Sequence, residues 1–475
     1  MDDEVIRPDL EGRPFFFCGI GGSGMLPLAQ IARGTGHAVA GSDRSMDQGR
    51  TPEKFEWLAE NGFELFPQDG SGITSSRQIL IASAAVEDTV PEVAKARTLG
   101  NARMSRAELL SALFNEAAQS VAIGGTSGKS TVTGMIAWIM HQAGLDPTVM
   151  NGAVMKNFAN ADNPFASARV GDPGVFVSEV DESDGSIALY RPSVAVLLNV
   201  SLDHKSIEEL EKLFGDYLAK AQRAVVNYDD ERARGLSGRA NDAVSFGIEA
   251  EDANIAAVEG SIEYQPFAVA ADIIDNRSGE SAHLTLPMPG RHNLSNALAA
   301  IAAAGAAGVN LEEAVEALSR FKGLARRFDV VGTTKSSITV IDDFGHNPEK
   351  CAATLRTLKS VPGRVIAFFQ PHGYGPLRQM GDELAETFAR ELDATDITIM
   401  CDPVYFGGTV DRSQGSERII ELIKQAGGTA EHIASREDCG KRIAELAKDG
   451  DRIVIMGARD DTLSEFARTV LASVP

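Results

Sequence analysis

The residues best placed to do chemistry lie at positions 123–133, I-G-G-T-S-G-K-S-T-V-T. A glycine turn there separates an apolar run at 120–124 from a helix-like run carrying Met135, Ile136, Trp138, Ile139 and Met140. Gly125 and Gly128 let the backbone around Thr126 and Ser127 point its N–H groups at phosphate oxygens. Lys129 adds positive charge at the outer phosphates, and the Ser130 hydroxyl, followed by Thr131, suits Mg2+. The combination implies bound ATP. Position 123 holds Ile where the long form G-x-x-x-x-G-K-[ST] needs Gly, so the loop is a shorter G-T-x-G-K-[ST] variant.

A second glycine loop follows the apolar run 15–18: Gly19-Ile20-Gly21-Gly22-Ser23-Gly24, then a helix-like run at 25–33 and a short strand ending in Gly41-Ser42-Asp43. A βαβ opening with an acidic residue about 20 positions on is the pattern of a dinucleotide or nucleotide-diphosphate site. An NAD-dependent oxidoreductase fits the same turn, and so does a tight corner that binds nothing. Beside an ATP loop, it suggests an enzyme holding a nucleotide-linked substrate in one domain and ATP in the next.

Two further strand ends carry polar groups. Glu179 closes the apolar run 175–179 and is followed by Asp181, Glu182 and Asp184, carboxylates suited to a hard cation; a solvated acidic turn is the alternative. Asn199-Val200-Ser201-Leu202-Asp203-His204 follows the run 194–199. A lone histidine is more often structural, but His204 in this company is a candidate ligand for a second cation. No Ser/His/Asp or Cys/His arrangement for covalent catalysis is evident.

The elements that must position these groups form an α/β chain. At 475 residues it is too long for one core, and three domains are expected: 1–118, 119–323 and 324–475. The first alternates strands at 15–18 and 79–83 with helices at 91–99 and 106–114, a Rossmann-like, doubly wound pattern. The second is a P-loop domain with a buried parallel sheet, and an alanine-rich helix at 297–307 follows Gly290-Arg291-His292-Asn293. The third alternates again, with strands at 338–341, 365–369, 397–401 and 453–456, and looks like another Rossmann-like domain. Residues 323–328, G-L-A-R-R-F, are the nearest thing to a linker, where a hinge would close one domain over ATP.

Composition narrows the function. The 45 basic and 67 acidic residues give a formal charge of −22, which repels nucleic acid and anionic membrane over most of the surface. No run of about 18 apolar residues occurs, and the opening M-D-D-E is acidic where a secretory signal is basic, so a cytoplasmic protein is expected. The four cysteines, Cys18, Cys351, Cys401 and Cys439, have neither disulfide-framework nor zinc spacing. An oligomer stays possible.

Taken in order, G-T-S-G-K-S-T, S-E-V-D-E-S-D-G-S, L-D-H, G-R-H-N-L-S-N-A-L-A-A, R-R-F and D-D-F-G-H-N-P-E resemble the motif series of the Mur ligases, over about residues 15–457. The opening G-I-G-G-S-G-M, G-S-D at 41–43 and F-Q-P-H at 369–372 are similar to the branch that joins L-alanine to UDP-N-acetylmuramate. The resemblance implies an ATP- and Mg2+-dependent ligase that forms an acyl phosphate and passes the acyl group to an amine. By the same resemblance, the loop of Gly19, Gly21, Gly22, Ser23 and Gly24 with Ser42 and Asp43 holds the UDP moiety. Lys129 and Ser130 meet ATP and Mg2+, Glu179 ligates that cation and His204 a second. Asn293 and Asn296 approach the adenine, Arg327 and Asp343 the nucleotide, and His346 and His372 line the amino-acid side. The chain departs from the branch at Gly373 and Pro376, where two arginines that grip the amino-acid carboxylate are usual; only Arg378 is near. The amine is therefore expected to be an amino acid or a short peptide, with L-alanine disfavoured.

Overall fold

The computed structural model describes residues 9–83, 86–202, 205–404, 411–458, 460 and 462–475. Its first sheet holds β1 (Phe15–Cys18), β2 (Val39–Ser42), β3 (Glu64–Phe66), β4 (Ile79–Ala82) and β5 (Arg103–Ser105), parallel in the order β3-β2-β1-β4-β5, with the three inner strands buried throughout. Phe15 and Phe17 point into one core and Phe16 and Cys18 into another, which is why four consecutive positions are apolar. The order reverses beside β1, so the glycine loop leaving β1 sits at the crevice where such sheets bind ligands.

A second sheet contains β6 (Gln119–Gly124), β7 (Pro147–Met150), β8 (Ala168–Arg169), β9 (Asp172–Glu179), β10 (Val194–Leu197), β11 (Arg223–Asn227) and β12 (Ala243–Gly247). Its order runs β12-β11-β10-β6-β9-β7-β8, parallel except for β7 with β8. Because β6 lies between β10 and β9, the carboxyl ends of all three converge, with Ile123 beside Glu179 and Gly124 beside Leu197. The helix Lys129–Gln142 leaves β6 and buries Val132, Met135, Ile136, Ile139 and Met140, a helical stripe at i, i+3, i+4, i+7 and i+8. Each such side chain contributes roughly 1.5–3 kcal/mol, enough to hold the loop that begins the helix.

The chain packs as two compact units. The first comprises residues up to Ala256 with Ile274–Ala282 and Leu298–Leu318; the second comprises Ala257–Ile273, His283–Ala297 and Ser319–Pro475. The expected boundary at 118/119 falls inside the first unit. There the Trp57 indole donates to the Asp162 carbonyl at 2.9 Å and packs against Phe165, and Gly34 leaves room for Val170.

The second unit holds a six-stranded sheet, in spatial order Asp329–Thr333, Thr339–Asp343, Arg452–Gly457, Val365–Gln370, Ile397–Met400 and Ala430–His432. The first pairs antiparallel and the rest are parallel. Four of these strands are expected from apolar runs; the antiparallel edge and the three-residue edge are not.

Residues 323–328 are not a loose linker. Leu324 is buried, and Arg326 and Phe328 adopt left-handed backbone, φ 60° and 48°, unusual for side chains of this size. The Arg326 guanidinium donates to the carbonyls of Gly457 at 2.6 Å and Asp460 at 3.1 Å and pairs with buried Asp342 at 3.4 Å, fixing the corner into the second unit.

All four cysteines are free and buried. Burial pushes their thiols up, to about 11 at Cys18 and about 12 at Cys439, and further at Cys351 and Cys401.

Candidate active site

Gly125 and Gly128 both take positive φ, 135° and 91°. A Cβ on Gly125 would meet the Asn199 nitrogen at 3.2 Å, so the first glycine is needed for close approach to β10 as well as for the turn. Asn199 holds the loop from both sides: its Oδ1 accepts from the Ser127 N–H at 2.8 Å and its Nδ2 donates to the Ser127 carbonyl at 3.0 Å. The Thr126 hydroxyl adds bonds to the Ser201 backbone. Buried Thr131 continues the helix. The loop is thus preorganised by the strand end next to it.

Lys129 Nζ donates to the Gly125 carbonyl at 2.6 Å and to both oxygens of Glu182, at 3.0 and 2.8 Å. Glu182 is only 5% exposed, so this is a partly desolvated pair. Sequence reasoning places Glu182 in an acidic cluster without distinguishing it; its role as partner of the lysine follows only from the turn after β9. Glu179 instead meets Ser130, whose hydroxyl donates to Oε2 at 2.7 Å. Asn151 donates to the Ser130 carbonyl at 3.1 Å, and a Cβ on the next residue, Gly152, would come within 2.2 Å of Glu179 Oε1. Asp181 accepts from the Ser183 N–H and hydroxyl. Burial raises its carboxyl, but Ser183, Lys129 and Arg106 more than offset that and leave it below the usual range.

Ser130 and Glu179 supply adjacent hydroxyl and carboxylate oxygens, the donor type Mg2+ prefers, and the missing Cβ of Gly152 leaves space beside them. The residues fit that ion. Among the described residues no group of three or more His, Cys, Asp or Glu side chains forms a ready metal cage. His204 lies outside the described residues.

At the first loop, Asp43 does two jobs. Its Oδ2 accepts from the Gly21 N–H at 2.8 Å and its Oδ1 from the Ser45 N–H at 2.7 Å, so it shapes the turn. Gly19 has φ 82°, the N–H groups of Gly19 and Ile20 donate to the Ser42 carbonyl, and Phe55 fills the space a Gly21 side chain would need. Lys54 Nζ donates to the Gly21 carbonyl at 3.2 Å. Gly22 and Ser23 are exposed at the tip.

The remaining candidates lie in the second unit. Asp343 is committed to the local fold: its carboxylate accepts from the Phe328 N–H, the Gly345 N–H and the Thr354 hydroxyl, at 2.8–2.9 Å. Asn293 is buried, donating to the Pro289 carbonyl at 2.7 Å and accepting from Asn296 at 3.4 Å. Arg327 lies over the Phe344 ring, 4.3 Å from its centroid; His346 packs edge-on against Phe344 at 5.3 Å and against His372 at 5.4 Å. Arg378, on the helix Tyr374–Glu391, pairs with exposed Asp411 at 3.1 Å. Gly373 has φ 153°, a region that favours glycine, so an arginine there needs a different backbone. Arg459 lies outside the described residues.

His346 yields a pH prediction. Burial, with Lys350 nearby, lowers its pKa to about 3. Between the ordinary 6.5 and 3 the unfolded chain binds a proton the folded chain does not, so this contribution to stability is lost as the pH falls through that window. His346→Gln is expected to flatten the decline in unfolding free energy between pH 6 and 4, by up to about 1.4 kcal/mol per pH unit. Identical slopes in denaturant titrations of both proteins would refute it.

Three family models match the chain: "Mur ligase family, catalytic domain" over residues 14–117, "Mur ligase middle domain" over 123–304 and "Mur ligase, glutamate ligase domain" over 326–459. The UDP-N-acetylmuramate–L-alanine ligase of Cereibacter sphaeroides is 34% identical, over 97% of this chain and 96% of its own length. The chain belongs to the Mur ligase family. The ligase of the same name from Agrobacterium fabrum is 33% identical, over 94% of each. The crystal structure of a UDP-N-acetylmuramate–alanine ligase from Thermotoga maritima shares the fold, with TM-score 0.77 and 24% identity over 97% of this chain and 98% of that one. A murein peptide ligase from Psychrobacter arcticus, with TM-score 0.67 and 25% identity, is covered to 98% by 97% of this chain. The three matched domains and the parallel sheets make this Mur ligase a mixed α/β enzyme of three domains.

Proposed function

We propose that this Mur ligase joins an amino acid or a short peptide to UDP-N-acetylmuramate in peptidoglycan precursor synthesis, using ATP and Mg2+. The observation that carries the reading is that two phosphate-type glycine loops share one unit, one of them with Lys129, Ser130 and Glu179 at its helix start. The nucleotide-sugar is assigned to residues 19–24 with Ser42 and Asp43, and the ATP phosphates to residues 125–131; in the second unit, Asn293, Asn296 and Arg327 are assigned by themselves as nucleotide contacts. Asp343 supports that region through the backbone it holds. We assign His204 to a second cation. The cytoplasm, where ATP and nucleotide-sugars are made, is the compartment this reading requires.

In the reaction, a carboxylate oxygen of the sugar acid attacks the γ-phosphorus and the bond to ADP breaks. The amine then attacks the acyl carbon, phosphate leaves and the nitrogen gives up a proton. Ser130 and Glu179 would hold Mg2+, which offsets negative charge on the phosphates. Lys129, released from Glu182, carries its charge to the transferring group, and the loop amides orient it. Little covalent work falls to the protein.

Gly373, Pro376 and the surface pairing of Arg378 favour an amine other than L-alanine. Loss of a bidentate carboxylate contact of about 1.5–3 kcal/mol implies a tenfold to hundredfold penalty for alanine. Offering amino acids and short peptides with UDP-N-acetylmuramate and ATP, and scoring free phosphate and product mass, tests both statements. Phosphate found on the acceptor indicates a kinase, and efficient use of L-alanine overturns the specificity reading. Binding of NAD(H) without any affinity for UDP or UDP-N-acetylmuramate rejects the nucleotide-sugar assignment.

A further inference from the structure

The helix Arg106–Glu116 starts at a complete capping box, in which Ser105 accepts from the Glu108 N–H and Glu108 accepts from the Ser105 N–H. Its first residue is therefore held in place by the backbone, and its side chain is free for another task. The half-buried Arg106 side chain runs along the first glycine loop: a Cβ on Gly24 would come within 3.1 Å of Arg106 Cδ, 3.4 Å of Nε and 3.5 Å of Nη1. Among the described residues its guanidinium makes no hydrogen bond and no ion pair. It lies in the field of Asp181 and Tyr190 without bonding to either, and Asp181 already accepts from Ser183.

The loop beside it is unfinished in the same way. Gly21 N–H is taken by Asp43 and Gly22 N–H by the Gly19 carbonyl, and Met25 and Leu26 donate to the Gly22 carbonyl. The N–H groups of Ser23 and Gly24 donate to nothing among the described residues, and Gly24 offers no side-chain cap to the helix Met25–Gly34. Two unbonded backbone donors and an unpaired guanidinium thus meet at Gly24. A guanidinium fork beside two unbonded amides offers several N–H donors and one positive charge together, a set that suits a multiply charged phosphate anion.

We propose that Arg106 holds the diphosphate of the nucleotide-linked acid against Ser23 and Gly24, and so sets the affinity for that substrate. The proposal rests on the assignment of the nucleotide-sugar to the first loop. It makes Arg106 a binding residue that the motif series does not contain.

Calorimetry with UDP and, separately, with MgATP tests it on wild type, Arg106→Ala and Arg106→Lys, each checked for an unchanged melting profile. UDP affinity is expected to fall at least tenfold in Arg106→Ala and to recover only partly in Arg106→Lys, where the charge returns without the fork. MgATP affinity should stay within twofold. In turnover assays the KM for UDP-N-acetylmuramate should rise far more than kcat falls. Equal UDP affinity in wild type and Arg106→Ala overturns the proposal and leaves the nucleotide-sugar assignment standing. A parallel loss of MgATP affinity overturns it in favour of simple charge balance for the acidic cluster. A wild-type protein that does not bind UDP defeats the assignment itself, and the proposal with it.

Discussion

Replacing Lys129 by alanine is expected to lower kcat about a hundredfold to a thousandfold while the protein stays folded. Nζ is the one side-chain cation bonded to the loop carbonyl of Gly125 among the described residues, so its removal withdraws positive charge from where negative charge develops during phosphoryl transfer. The substitution also strands Glu182, which loses its partner in a nearly water-free position. A modest drop in melting temperature should accompany the loss of activity. The companion variant Glu182→Gln separates the two effects, because it removes the ion pair and keeps the lysine. Near-normal ADP formation by folded Lys129→Ala would exclude this loop as the catalytic nucleotide site.

Gly152→Ala should be almost as damaging and much less destabilising. The added methyl would overlap Glu179 Oε1, at 2.2 Å, and press on Ser130 Oγ, at 3.1 Å. The carboxylate is the end of a flexible side chain and can swing away, so the fold should tolerate the change. The hydroxyl–carboxylate pair proposed to hold Mg2+ cannot stay in register. We expect kcat to fall roughly a hundredfold, as for loss of one preorganised charge contact, with a higher Mg2+ concentration needed for half-maximal rate. Thermal melting, turnover and Mg2+ titration of the one variant check all three. Unchanged Mg2+ dependence would remove Glu179 from the cation site.

What was legible in the sequence follows from burial and backbone constraint. Strands such as Phe15–Cys18 and, up to its last residue, Val365–Gln370 are apolar because both faces are buried, and a run of that length reads as a buried strand. The phosphate loops are legible because only glycine tolerates φ values such as those at Gly19, Gly125 and Gly128. Partner choice is not legible in the same way. Glu179, Asp181, Glu182 and Asp184 are chemically alike in a list; the turn after β9 decides that one meets Ser130 and another Lys129. Asp343, expected at the nucleotide, spends its oxygens on Phe328, Gly345 and Thr354, since a buried carboxylate must be satisfied locally. Residues 323–328 look like a linker because of Gly323 and the charged pair, yet Arg326 finds carbonyls far away in sequence at Gly457 and Asp460. The edge strand Asp329–Thr333 contains Gly332 and is only half covered, so its pattern is too weak to announce itself.

The four buried thiols make the chain chemically quiet. A thiol held well above its ordinary pKa presents almost no thiolate to an alkylating reagent at neutral pH, so the native cysteines should stay unlabelled under mild conditions. A pair of cysteines introduced at exposed positions, one in each unit, would then carry a fluorophore pair against a dark background. Distances between the two units, with and without nucleotide, become measurable on the otherwise native sequence, without first deleting Cys18, Cys351, Cys401 or Cys439 from the cores they help to fill.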